Sequence, residues 1–381
     1  MKKVLLGIDR IDEVVKVLKG KRVGLITNPT GINSDFKSTI DILKEKTNLI
    51  ALYSPEHGVR GDAQAGAKIE TYTDEKSGIK VFSLYGDNKK PSKEVLEDID
   101  VMVIDIQDIG SRLYTYIYTM AYCMMGCKNQ GKEFVVLDRP NPINGLIVEG
   151  GLIKDGFTSF VGLYPIPYRY GLTIGEAAKL FNEEFKIGCD LTVIKMQGWE
   201  RGMYFEDTNL NWILPSPNMP TIDTAVVYNG TCIFEGTNVS EGRGTTKPFE
   251  MIGAPWIDAY DLAQDMNSLQ LPGVIFTAAY FTPTISKYSG ELCGGVQLHV
   301  IDRESFKPVF TGVNLLEVIK NKYSNNFEFL PPYSEKGKPM IDYNTGSDYI
   351  RKGELEPVEC YEMWKKESEK FEKFKVKYHL Y

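Results

Sequence analysis

The chain has 381 residues, 43% of them AVILMFWYC and 25% charged, which excludes a disordered or fibrous protein and leaves room for two domains with substantial cores. Forty-four Lys and Arg against 51 Asp and Glu give a net charge of −7, so no basic field exists to attract nucleic acid or anionic lipid.

The N-terminal Met1-Lys2-Lys3 is basic, but the apolar run that follows stops at Asp9, too short for a secretory leader. No signal peptide is therefore expected in this chain, and residence inside the cell and removal of a leader both stay open. No apolar run approaches the roughly 18 residues of a membrane span. Residues 22–27 (RVGLIT), 49–53 (LIALY), 80–84 (KVFSL), 101–105 (VMVID) and 134–138 (FVVLD) are short, apolar and too continuous for half-exposed strands. Helical segments are expected between them at 38–45, 92–97 and 114–128. Continuous apolar strands joined by helices predict a doubly wound, Rossmann-like parallel sheet covered on both faces.

Further along, Thr173 caps a helix at 173–185, with Glu176 completing a capping box. A proline-rich loop spans 215–220. Strands are expected at 224–228, 274–281 and 295–302, the last with period-two alternation. Tyr361, Trp364, Ser368, Phe371 and Phe374 fall at helical spacing and predict a docked terminal helix. The organisation expected is a Rossmann-like catalytic domain over 1–226 and a smaller α+β domain over 227–381 that closes a cleft. Six scattered cysteines form no C-x-x-C pair, and Cys123 and Cys127 are expected to be buried thiols.

Ligands of open parallel sheets bind beyond the carboxyl ends of the strands. Four loops there are rich in Asn-Pro, Arg and Gly: Asn28-Pro29-Thr30-Gly31, Ser54-Pro55-Glu56-His57-Gly58-Val59-Arg60-Gly61-Asp62, Ile106-Gln107-Asp108-Ile109-Gly110-Ser111-Arg112, and Asp138-Arg139-Pro140-Asn141-Pro142-Ile143-Asn144-Gly145. Taken singly, each is also ordinary turn chemistry. The first strand turn lacks G-x-G-x-x-G, and the position five after Gly236 is Glu241, so the P-loop spacing fails. No cofactor is expected, and a nucleotide-dependent enzyme is the least favoured reading. Three histidines, with only His57 in a candidate loop, exclude a multi-histidine metal centre.

What remains is a pair of glutamates, Glu56 and Glu241, in rigid loops beside arginines. Glycosidic cleavage uses such equipment: one carboxylic acid protonates the leaving oxygen while a second group stabilises or attacks C1. His57 is a candidate to orient the glutamate or a substrate group, or is a structural histidine. Tyr85, Tyr114, Tyr116, Tyr118, Trp212 and Tyr228 are candidate sugar platforms or core residues.

The four loops, with Leu25-Ile26-Thr27 before the first of them, Pro215-Ser216-Pro217-Asn218-Met219-Pro220 and Phe234-Glu235-Gly236-Thr237-Asn238-Val239-Ser240-Glu241-Gly242-Arg243-Gly244-Thr245, resemble the NamZ family of peptidoglycan exo-β-N-acetylmuramidases, from about residue 20 to the end of the chain. The resemblance implies release of N-acetylmuramic acid from non-reducing ends, a cleft between two domains, a muropeptide or oligosaccharide substrate, and Glu56 as the leading catalytic residue. Glu241 is proposed as second carboxylate, with Arg60, Arg112 or Arg243 pairing the lactyl carboxylate. Asn28, Asn141 and Asn218 are proposed to bind sugar hydroxyls or the acetamido group. Asp105, Tyr116, Asp138 and Thr245 complete the expected substrate-binding set. The substrate's own acetamido group is an alternative nucleophile. A non-catalytic muropeptide-binding protein on the same scaffold is the alternative function.

Overall fold

The computed structural model describes residues 3–61, 71–84 and 89–381. Strands β1 (Arg22–Thr27), β2 (Asn48–Ser54), β3 (Tyr72–Thr73), β4 (Lys80–Ser83), β5 (Val101–Asp105), β6 (Glu133–Leu137) and β7 (Asp190–Ile194) form one sheet in the order β3-β4-β2-β1-β5-β6-β7. All neighbours are parallel except β3, which runs antiparallel to β4. The strand order reverses between β1 and β5, as in doubly wound sheets. A second sheet of β8 (Met251–Ala254), β9 (Val274–Phe281) and β10 (Cys293–Val300) is antiparallel, in the order β8-β10-β9. The doubly wound domain and smaller α+β part are thus as the residue pattern predicts.

The period-two geometry of the strands divides the apolar residues between two faces. Val23, Leu25, Leu52, Val101, Val103, Val135 and Leu137 pack on one face with the helix Ile11–Leu18. Ile26, Tyr53, Met102, Ile104, Phe134 and Val136 pack on the other, beneath the helix Tyr116–Asn129. The second core runs on without a break through Val226, Phe276, Leu316 and Trp364 into the C-terminal half. Each such side chain, fully buried, contributes about 1.5–3 kcal/mol before conformational entropy is counted. All six cysteines are free and buried.

One expected strand is a helix. Residues 224–228 belong to the helix Ile222–Thr231, whose N-cap Thr221 accepts from the Thr224 amide. Every residue from Thr224 to Thr231 is buried, and a short continuous apolar run does not separate a core strand from a helix buried all round. Gly230 lets this helix meet Pro308–Lys322, since a Cβ there would lie 1.9 Å from the Pro308 carbonyl oxygen. Residue 226, the expected boundary, lies within this helix.

The terminal helix, Pro357–Lys375, docks as its spacing predicts. Trp364 and Ser368 are buried, with Trp364 Nε1 donating to the Tyr349 hydroxyl at 2.6 Å and Ser368 Oγ to the Gly150 carbonyl at 3.1 Å. Beyond it, the Tyr381 hydroxyl reaches Asp138, just past β6, at 2.7 Å. Asp138 Oδ2 also accepts from Thr173 Oγ1 (2.8 Å), while Oδ1 accepts from the amides of Gly175 (2.8 Å) and Arg139 (3.0 Å). Burial outweighs these donors and lifts the Asp138 carboxyl to about 7.

Between an ordinary aspartate pKa near ~4 and about 7, the folded chain keeps a proton that the unfolded chain has released. Stability from this group is complete at low pH and is lost as pH rises through about 7. Asn at position 138 can turn its carbonyl to the two amides and its NH2 to the two hydroxyls, which rotate to accept. Asp138→Asn is therefore expected to match the wild type near pH 3 and to exceed it at pH 8, by roughly 1–4 kcal/mol. Thermal unfolding of both proteins at the two pH values checks this, and parallel pH profiles would count against it.

Candidate active site

Pro55 follows β2, and a turn closes from the Pro55 carbonyl to the Gly58 amide at 3.2 Å. His57 and Gly58 take positive φ, +75° and +86°. A histidine held in the left-handed region is strained, and such backbone concentrates at functional sites. The turn presents Glu56 at the N-terminal end of the helix Tyr116–Asn129. There the N-cap Thr115 makes no side-chain cap; its hydroxyl donates instead to Glu56 Oε2 at 3.0 Å. Helix N-termini favour carboxylates, so the glutamate sits where partial positive charge is built into the fold.

Glu56 and His57 line a cavity of about 660 Å³ together with Tyr114, Tyr116, Asn218, Tyr228, Glu235, Glu241, Arg243, Phe249 and Lys287. That lies within the ordinary size range of small-ligand pockets. Its wall is a run of edge-to-face rings, Tyr116–Tyr114 (4.9 Å), Tyr114–Tyr228 (5.9 Å) and Tyr228–Phe249 (4.7 Å). The Arg243 guanidinium lies over Phe249 at 5.0 Å. Against this wall stands an ion quartet. Glu241, 2% exposed, faces Arg243 Nε through Oε1 (3.2 Å) and Lys287 Nζ through Oε2 (2.8 Å), and Arg243 also pairs with Glu235. Burial works against the charge on Arg243, but Glu235 and Glu241 outweigh it and hold the guanidinium above its ordinary value. Lys287 also donates to the carbonyls of Phe234 (2.7 Å) and Val239 (2.9 Å), which uses its three protons.

Of the expected site residues, the cavity thus brings together Glu56, His57, Tyr116, Asn218, Glu241 and Arg243. The others lie apart from its lining. Arg112, fully buried, donates to the carbonyls of Gly151, Ile166 and Asn344 and stacks on Tyr168 at 4.0 Å. Arg60 is bidentate on Asp74 at 2.9 and 2.8 Å. Asp105 is bidentate with Arg139 (2.6 and 2.9 Å) and also accepts from Thr39, at the strand-order reversal. Asn28 gives its amide to the Tyr116 hydroxyl (3.0 Å) and the Pro215 carbonyl (3.2 Å), and its carbonyl accepts from the Thr30 amide (2.9 Å). Asn141 ties the Leu172 carbonyl (2.9 Å) to the Ile143 amide (3.1 Å). Thr245 donates to the Gly242 carbonyl at 2.6 Å. Asp138 holds the terminal segment described above. Asp62 and Tyr85 lie outside the described residues.

These loops do gather at one edge of the sheet, but the polar groups just named are engaged within the protein, as buried polar groups generally are. Glu235, Lys287, Phe160 and Tyr333 line the cavity without having been expected there. For Glu235 the signal was available, since it stands six residues before Glu241 in the same Gly-rich string. Among the described residues, no group of His, Cys, Asp and Glu is arranged to hold a metal ion, and no helix is long and apolar enough to cross a membrane.

Residues 23–223 match the N-terminal model of the exo-β-N-acetylmuramidase NamZ, and residues 226–381 match its C-terminal model. The peptidoglycan β-N-acetylmuramidase NamZ of Bacillus subtilis (strain 168) is 54% identical over 352 residues, covering 92% of this chain and 84% of that protein. Crystal structures of two DUF1343-family proteins from Bacteroides fragilis superpose with TM-scores of 0.90 at 40% identity and 0.79 at 31% identity. Each match covers 100% of this chain and 99% of the other. The chain belongs to the NamZ family of exo-β-N-acetylmuramidases.

Proposed function

We propose that this glycoside hydrolase releases N-acetylmuramic acid from the non-reducing ends of peptidoglycan fragments, with Glu56 as the proton donor. The observation that carries the reading is the placement of two unlike carboxylates on one cavity. Glu56 is half-buried, with a neutral hydroxyl on one oxygen, whereas Glu241 is buried between two cations. The two carboxylates thus face one cavity from different surroundings, one beside a hydroxyl and one held by cations. Glu56 gives its proton to the glycosidic oxygen as the bond from C1 to that oxygen breaks, and the aglycone leaves as an alcohol. Water then adds hydroxide to C1 and returns its proton to Glu56. Glu241, or the acetamido oxygen of the substrate, offsets the positive charge that develops at C1.

Arg243 is the arginine of the three candidates that lines the cavity, and the proposal assigns it the lactyl carboxylate. Assays with 4-nitrophenyl β-N-acetylmuramide and the matching β-N-acetylglucosaminide test both parts. The wild type is expected to release aglycone from the muramide, to prefer it, and to free N-acetylmuramic acid from muropeptides. Arg243→Met is expected to raise KM for the muramide by roughly 10- to 100-fold, the worth of a charged hydrogen bond, with little change on the glucosaminide. No turnover of any muramide by the wild type would sink the enzymatic reading. Equal losses on both substrates would remove Arg243 from lactyl recognition.

A further inference from the structure

Among the described residues, Tyr333 has the greatest exposure of the large hydrophobic side chains, 82%, and yet it lines the cavity that holds Glu56 and Glu241. Single exposed rings are ordinary on a protein surface, and what sets Tyr333 apart is that it stands on the lining of this cavity. The loop that carries it is tied down at both ends to one residue. The Leu330 amide donates to the Gly236 carbonyl at 2.9 Å, and Ile341 lies so close to Gly236 that a Cβ there would meet its nitrogen at 2.4 Å. Gly236 directly follows Glu235 of the ion quartet, so the loop is registered against the charged end of the site.

Between these anchors, Pro331 and Pro332 fix φ just before the ring, and the Lys338 amide donates to the Tyr343 hydroxyl at 3.0 Å. Lys338 Nζ then lies over the Phe157 ring at 4.3 Å, which bridges to the facing loop that carries Phe160. The mouth of the cavity is thus framed by Phe160 and Tyr333, both lining residues.

We propose that Tyr333 is the stacking platform for the sugar on the leaving side of the scissile bond, a β-linked N-acetylhexosamine. This rests on the muramidase reading above. An exo-acting site takes the terminal sugar into its enclosed end, among Tyr116, Tyr228 and Glu241, and the rest of the glycan must pass out through the mouth. The axial C–H face of a pyranose is apolar and packs on an aromatic face, with the hydroxyls turned to water. A solvent-facing tyrosine on a loop anchored at both ends supplies such a face at that opening.

The test uses the full chain and the disaccharide of N-acetylmuramic acid β-1,4-linked to N-acetylglucosamine. Tyr333→Ala is expected to raise KM about three- to tenfold and to weaken inhibition by free N-acetylglucosamine by the same factor. Inhibition by free N-acetylmuramic acid, kcat and the melting temperature are expected to stay at wild-type values, and Tyr333→Phe is expected to restore KM. Unchanged KM in Tyr333→Ala, or equal weakening of both inhibitors, would overturn the platform while leaving the muramidase reading in place. A wild type that leaves the disaccharide intact would instead overturn that reading, and the platform with it.

Discussion

Glu56→Gln is expected to lower kcat by about 10²- to 10⁴-fold while KM stays near its wild-type value. The amide is isosteric, and its carbonyl still accepts from the Thr115 hydroxyl, now 3.0 Å from Oε2, so substrate binding and fold have no reason to change. What is lost is the transferable proton. The loss is expected to depend on the leaving group. A nitrophenolate departs with little help, so a nitrophenyl muramide would lose least, whereas a sugar alcohol needs protonation and would lose most. Initial rates on both substrates, with circular dichroism to confirm the fold, check this. Retention of more than about a tenth of the wild-type rate on the disaccharide would remove Glu56 from the acid's role.

The largest expected effect on stability belongs to Asp105. Its two oxygens meet Arg139 at 2.6 and 2.9 Å, and both side chains are almost wholly buried. Arg139 also donates to the Ile32 carbonyl at 2.8 Å, so the pair pins the loops after β1, β5 and β6 to one another. Asp105→Ala would leave a guanidinium in the interior with no counter-charge, at a cost of about 3–5 kcal/mol. Urea denaturation is expected to show a lower midpoint with an unchanged slope. The fraction that remains folded is expected to keep the wild-type KM, because Asp105 stands outside the lining of the cavity. A variant of wild-type stability with raised KM would reverse this assignment and return Asp105 to the substrate.

The fold was largely legible in the sequence because continuous apolar strands at regular spacing leave few topologies open. Residues 101–105 illustrate this, as all five side chains are buried and no half-exposed sheet accommodates them. The strand Asp190–Ile194 escaped notice because it is an edge, only one of its five residues being fully buried. The helix at 222–231 was misread because burial on all sides erases the helical period. In the site, Glu56 was legible from its setting between a proline and His57-Gly58. Arg112 was not: a buried guanidinium that serves three carbonyls reads in sequence like one awaiting an anion. Partnership is a long-range property, and Arg112 Nη2 finds the Asn344 carbonyl 232 positions away.

The unbroken core beneath the Tyr116–Asn129 face has a consequence for how substrates are admitted. With the helix Ile222–Thr231 packed into that core, the two halves share one continuous apolar interior, and swinging one against the other would expose part of it. Entry is then expected to be governed at the rim, where the 157–161 and 331–339 segments contribute Phe160 and Tyr333 to the lining. Members of the family that accept different stem peptides or glycan lengths are expected to diverge at those two rims sooner than in the joint between the halves.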